Sequence, residues 1–164
     1  MDMKTFVFVF KLVLVILMLA FIWCNSLLPG ELSLKQSEGV LKLIEPLVNA
    51  VTRVLNAAGY DVDEHLVVRK MAHFAEFAVL GALMFLLFVK PDGRSRYLLP
   101  AGLCLAAAGV DEGIQIFAVE RGPALRDVLL DFCGSSVGIL AAAFVVLLVY
   151  YKLRNAKEWR EYRS

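Results

Sequence analysis

Apolar residues run along this chain in long blocks broken by short polar punctuation, and the block length predicts helices that cross a bilayer. A hydrocarbon core takes about 20 mostly apolar residues per helix. Four stretches meet that requirement, 6–28, 71–89, 97–119 and 128–151. Pro29-Gly30, Pro91-Asp92-Gly93 and Arg121-Gly122-Pro123 separate them, and the last two connections are short enough for tight hairpins. Pro100 and the glycines at 81, 102, 109, 134 and 138 fall inside the stretches, where membrane helices carry them more often than soluble ones do.

The connection 29–70 is too long to be structureless in so small a protein. Val40, Leu41, Ile44, Leu47, Val48, Val51, Val54 and Leu55 recur at helical spacing, with Lys42, Glu45, Asn49, Arg53 and Asn56 on the other face. The spacing predicts an amphipathic helical segment over 37–57, with Ser33 and Gln36 as a capping box, Gly59 as its stop and a break at Pro46. Such a segment suits the outer leaflet as a lid, or a helix packed on the bundle. The expected fold is one all-α membrane domain over 1–164, with four transmembrane helices and an extracytoplasmic amphipathic segment between the first and second.

Composition agrees. Hydrophobic residues make up 60% of the 164, above the roughly 45–50% apolar usage of soluble domains. The net charge of +1 leaves no cationic surplus for nucleic acid, which is excluded as a partner. Cys24, Cys104 and Cys133 are odd in number and lie in apolar stretches, so neither a disulfide scaffold nor a cysteine zinc site is expected. The first stretch reads as a retained helix and not a cleaved signal, because Trp23 precedes Cys24 where a lipoprotein signal needs a small residue, and no Ala-x-Ala ends the run.

With four crossings both termini share a side. Ten basic residues lie there (Lys4, Lys11, Lys90, Arg94, Arg96, Lys152, Arg154, Lys157, Arg160, Arg163), against seven opposite (Lys35, Lys42, Arg53, Arg69, Lys70, Arg121, Arg126). Basic loops stay inside, so the expected location is the cell membrane, multi-pass, with both termini cytoplasmic. Lys11 then snorkels to the cytoplasmic interface, and the tail 152–164 extends the last helix along anionic lipid, with Trp159 and Tyr162 at the interface.

The charges that interrupt the apolar runs carry the chemistry. Arg69, Lys70, His73 and Glu76 open the second stretch; Asp111, Glu112 and Gln115 lie late in the third; Arg126, Asp127 and Asp131 open the fourth. Alternating helix direction puts all three groups, with Asn25 and Ser26 from the first helix, in the outer half, while 83–89 and 139–149 lack ionisable residues. Arg69, His73 and Glu76 share a helical face, as do Asp127 and Asp131, with Gly134 and Gly138 continuing that stripe. Ionised groups facing lipid are costly, so the polar stripes are expected to face one another, with Gly134, Ser135 and Gly138 allowing close helix approach. The aromatic positions Phe74, Phe77, Phe85 and Phe88 read as lipid-facing packing.

Mutual ion pairing can account for many of these charges, but a buried pair often contributes no more than apolar packing of the same volume, so their number favours a site. Arg69, Arg121 and Arg126 suit a phosphate or carboxylate, with Lys70, Gln115, Asp127 and Asp131 completing the binding set. His73, Glu76, Asp111 and Glu112 are the candidate acid and base groups. His73-x-x-Glu76 with Asp111, Glu112, Asp127 and Asp131 also offers nitrogen and oxygen donors to a divalent cation, but no spacing fixes that geometry and no metal is assigned. His73 beside carboxylates equally suits a proton relay.

The segments Arg69-Lys70-Met71-Ala72-His73-Phe74-Ala75-Glu76-Phe77, Asp111-Glu112-Gly113-Ile114-Gln115, and Arg121 through Asp127-Val128 to Gly134 and Gly138 resemble the VanZ-like family of bacterial membrane proteins. The order R-K-x-A-H-F-x-E, D-E-x-x-Q, R-x5-D-V carries the resemblance nearly end to end. Asp131 stands where the family usually has Asn, and Cys24-Asn25-Ser26 replaces a serine-rich end of the first helix. The resemblance implies a cell-envelope role, and the founding member is associated with low-level resistance to the glycopeptide teicoplanin.

Three functions compete. The first is binding or processing of an anionic lipid or amphiphilic envelope molecule in the outer leaflet. The second is an ion-coupled transporter carrying protons on Glu76, Asp111 and Asp131, which needs an inward path that the apolar half does not offer. The third is a structural or partner-binding membrane protein whose charges are ion-pair glue. Neither a catalytic nucleophile, a cofactor nor an oligomeric state is specified by the sequence.

Overall fold

The computed structural model describes residues 2–27, 45–60, 64–89, 97–117 and 124–162, with side chains to Asn155. Among these residues all regular structure is helical. The helices are α1 (Met3–Leu27), α2 (45–57), α3 (Glu64–Phe88), α4 (Leu98–Gln115) and α5 (Leu125–Tyr162). α1, α3 and the Leu125–Asn155 part of α5 are long and apolar enough to cross a membrane. α4 is the expected third span, and its 18 residues rise about 27 Å, just short of a hydrocarbon core of about 30 Å. Its last turn is polar, with Asp111, Glu112 and Gln115 all buried inside the protein.

α3 is the central helix. It packs most extensively on α5 and also meets α1 and α4. The α3–α5 contact is close because three glycines line it: a Cβ on Gly81 would overlap the backbone of Ser135, one on Gly134 that of Phe74, and one on Gly138 that of Ala78. The expected small-residue stripe is therefore the seam on which α3 and α5 meet. Being covered on several sides, α3 buries Phe77 and Phe85 completely, among Val15, Ile22, Leu80, Met84 and Cys104. This corrects the lipid-facing reading of the aromatic positions. Only Phe74 and Phe88 stay half-exposed, and Phe85 stacks on Tyr97 at 5.6 Å. The surface offered to lipid comes instead from α1 and α5, where Phe6, Phe10, Leu17, Leu140, Phe144 and Leu148 are exposed.

α1 runs antiparallel to α3. At one end Lys11 Nζ donates to the Leu86 carbonyl at 2.8 Å, satisfying one of the last-turn carbonyls of α3 that have no helical partner. At the other end Asn25 meets Glu76. The start of α1 is capped by Asp2, whose Oδ1 accepts the Thr5 N–H at 3.0 Å. Hydrogen bonds from Thr5 hold the Asp2 carboxyl below its ordinary range.

α2 ends at Gly59 as expected. Gly59 has φ 89°, its N–H donates to the Asn56 carbonyl at 3.1 Å, and the Tyr60 N–H donates to the Leu55 carbonyl at 3.0 Å. This is a Schellman stop, in which glycine takes the left-handed conformation without a Cβ clash. α2 rests on α3 through Val48, Val51 and Leu55 against Val67, Val68 and Met71. Leu47 and Val54 remain exposed, so its apolar residues are not confined to the packed face. The first part of the expected 37–57 segment, its capping box and the upstream side of the Pro46 break lie outside the described residues. So do the connections holding Lys90, Arg94, Arg96 and Arg121.

Candidate functional site

The buried polar side chains Ser26, Asp111, Glu112, Gln115, Asp131 and Ser135 come from α1, α4 and α5, and α3 turns Arg69, Lys70, His73 and Glu76 toward the same end of the bundle. The cause is helix direction. α1 and α4 end where α3 and α5 begin, so each polar stripe meets the others across the seam.

Seven of the eleven residues singled out by sequence line one small pocket with Leu130: Arg69, Lys70 and His73 of α3, Glu112 and Gln115 of α4, and Asp127 and Asp131 of α5. Asp111 does not line it but is fully buried behind His73, with Oδ2 3.8 Å from His73 Nδ1. Asp131 Oδ1 is also 3.8 Å from His73 Nδ1. Lys70 pairs with Asp127, joining the second turn of α3 to the first turn of α5 at the half-exposed rim.

Glu76 lies at the α1 side of α3, where its Oε1 accepts the Asn25 side-chain amide at 2.9 Å. Arg126 is exposed and does not line the pocket, because one residue along a helix turns the side chain about 100° away from the inward face of Asp127. Arg121 lies outside the described residues.

Hydrogen bonds orient the carboxylates. Ser26 Oγ donates to Asp111 Oδ1 at 2.7 Å, and Gln115 Nε2 donates to Asp111 Oδ2 at 3.0 Å and to Glu112 Oε1 at 3.2 Å. Glu112 Oε2 accepts the backbone N–H of Ala124 at 2.7 Å, tying the end of α4 to the start of α5. An amide at a helix N-terminus is a natural carboxylate partner, but backbone donors leave no trace in a pattern of side chains. Asp131 differs from the others. It is 1% exposed, and neither of its oxygens accepts a hydrogen bond.

Next to the polar pocket, and sharing Lys70 and Leu130 with it, lies a groove of about 550 Å³ between α2, α3 and α5. Its other walls are Val51, Leu55, Leu66, Val67, Met71, Phe74 and Ala75. Apart from Lys70 it offers a ligand only apolar side chains. The sequence gives Val51, Leu55 and Met71 as apolar helical positions, but a groove between helices needs their relative placement.

The three cysteines are free, with Cys104 buried and Cys24 and Cys133 exposed. No curated protein and no solved structure matches the chain. The model of the VanZ/LLP1 family matches residues 10–149. That match spans the helices carrying the polar cluster, and with three helices able to cross a bilayer the chain is a multi-pass membrane protein that belongs to the VanZ/LLP1 family.

Proposed function

We propose that this protein binds an anionic lipid or other amphiphilic envelope molecule, with the headgroup at the Arg69–Lys70 rim of the polar pocket, which itself has room for about a single water, and the apolar chain in the neighbouring groove. The observation carrying the reading is the junction at Lys70 and Leu130, where a polar pocket and an apolar groove share a wall. An amphiphile needs both environments side by side, and a soluble metabolite or a proton has no use for the second. Arg69 and Lys70 supply positive charge at the headgroup end, Lys70 as a compact ammonium and Arg69 as a planar fork suited to phosphate or carboxylate oxygens. His73 and the carboxylates around it are the groups available for proton transfer should the molecule be processed as well as held.

The proposal includes four membrane crossings, with α4 as the short one, both termini cytoplasmic and the pocket in the outer leaflet. An accessory part in tolerance of glycopeptides such as teicoplanin belongs to it as an envelope phenotype. A second reading, structural glue, draws support from the Glu112 bond to Ala124 N–H and the Lys70–Asp127 pair, which join helix ends directly.

Lipid retention separates the two. The full chain, purified in detergent, is offered phosphatidylglycerol and phosphatidylcholine and examined by native mass spectrometry. The expected result is retention of the anionic lipid over the zwitterionic one, lost in Lys70→Met and Arg69→Gln at normal folded yield. If every substitution in the cluster lowers yield and none changes lipid preference, the structural reading replaces the binding one.

A further inference from the structure

We infer that His73, Asp111 and Asp131 form a binding site for a divalent transition-metal ion, Mn²⁺ or Zn²⁺, at the floor of the polar pocket.

Three helices bring these side chains together. One donor atom of each lies within 4.8 Å of the other two. The distances from His73 Nδ1 to Asp111 Oδ2 and to Asp131 Oδ1 are both 3.8 Å. In a tetrahedral site with metal–ligand bonds near 2.0–2.1 Å, neighbouring donors stand about 3.4 Å apart. The two edges to the imidazole exceed that spacing by about 0.4 Å, and the edge between the carboxylates, at most 4.8 Å, by up to about 1.4 Å, so side-chain closure within the rotamers of the two aspartates brings both into a coordination sphere shared with the imidazole.

The independent observation is Asp131. Its carboxylate is 1% exposed, accepts no hydrogen bond at either oxygen, and faces the cluster with Oδ1 3.8 Å from His73 Nδ1. A buried carboxylate that accepts no hydrogen bond is costly, and a cation bound between it and Asp111 offsets that cost. Asp111 is already held as a ligand should be, because Ser26 Oγ and Gln115 Nε2 each donate to one of its oxygens and fix its direction.

Charge points the same way. The described pocket gathers Glu112, Asp127 and Asp131, with Asp111 behind His73, against Arg69 and Lys70, and Lys70 is engaged by Asp127. A divalent ion offsets the surplus of carboxylates. One imidazole with two carboxylates is a borderline donor set, matching Mn²⁺ and Zn²⁺ better than soft-ligand Cu(I) or all-oxygen Ca²⁺. Three protein ligands leave a further position open toward the pocket, which has room for the water that completes the sphere. The cation site stands on its own geometry and does not depend on lipid binding.

The test uses metal alone, without added lipid. Full-length protein in detergent is stripped with a chelator, desalted and titrated with Mn²⁺ and, separately, Zn²⁺ by calorimetry, with Mn²⁺ binding also followed by electron paramagnetic resonance. The expected result is saturable binding of about one ion per chain and a rise in thermal midpoint on metal addition, as for any ligand that binds the folded state. Asp131→Asn, nearly isosteric, and His73→Gln are each expected to weaken binding at least about tenfold, while the exposed Glu64→Gln leaves it unchanged. Helical circular dichroism and a monodisperse elution profile identify variants that fold. If Asp131→Asn does not fold, His73→Gln decides. No saturable binding of either ion to the wild type, or unaltered affinity in folded Asp131→Asn and His73→Gln, would overturn the proposal.

Discussion

The α3–α5 seam positions His73 opposite Asp131, and Gly138 is where it is most sensitive. A Cβ added at Gly138 would stand 2.6 Å from the Ala78 carbonyl carbon and 3.0 Å from Ala78 Cα, and these are backbone atoms that cannot rotate away. Restoring ordinary contact, above all with the Ala78 carbonyl oxygen, requires the helices to part by about 1.5 Å, a gap that forfeits about half or more of the dispersion energy of the contacts lining it. Overpacking of this kind costs about 1–3 kcal/mol. In a chain of this length that corresponds to a fall of roughly 2–12 °C in thermal midpoint. Gly109 and Gly102 are the controls, because no neighbouring atom lies within 4 Å of a Cβ added at either. There the higher helix propensity of alanine acts alone and is worth up to about 1 kcal/mol in favour of the variant. The assay is thermal unfolding of Gly138→Ala, Gly109→Ala and Gly102→Ala in one detergent, followed by helical circular dichroism. The expected outcome is opposite signs for one chemical change. A Gly138→Ala protein as stable as the other two would refute the close seam.

Ser26→Ala removes the donor to Asp111 Oδ1 and is expected to destabilise by about 1–3 kcal/mol, read as a lower thermal midpoint. Ser26→Thr, which keeps a hydroxyl, should recover part of the loss. Gly59→Ala strains the positive-φ stop of α2 and is expected to cost about 1 kcal/mol, with faster backbone amide exchange over 45–57 and little change in α5. Reporter fusions after Ser164 and at Gly59 are expected to place the C-terminus inside and α2 outside; the tail found outside would reverse the proposed orientation.

The apolar blocks located α1, α3 and α5 because length and continuity suffice to mark a crossing. Their boundaries moved where polar residues sit on a helix: α3 begins at Glu64, before the block 71–89, so that Arg69 and Lys70 reach the pocket from helical turns that precede the apolar run. Helix direction brought the stripes of α3, α4 and α5 to one end, which is why most of the polar residues could be read as neighbours. Burial inside the bundle was less legible. Phe77 and Phe85 suit lipid and protein interior equally, so hydrophobicity alone does not distinguish the two, and only the central place of α3 assigns them to the core. Arg126 and Asp127 are adjacent in sequence yet only Asp127 lines the pocket, a difference set by helix rotation. The bond from Ala124 N–H to Glu112 depends on how α4 meets α5, as does the apolar groove on the placement of α2.

Photocrosslinking at Leu130, the apolar side chain common to pocket and groove, tests the central claim most directly. A benzophenone amino acid is placed at position 130, and in a second protein at the exposed, lipid-facing position of Leu140. Each is illuminated in bilayers containing phosphatidylglycerol and phosphatidylcholine in equal amounts. The expected result is capture of the anionic lipid in preference to the zwitterionic one at 130, abolished by Lys70→Met, and capture without preference at 140. Equal capture of both lipids at 130, unaffected by Lys70→Met, would contradict a headgroup site at the pocket rim joined to a chain-binding groove.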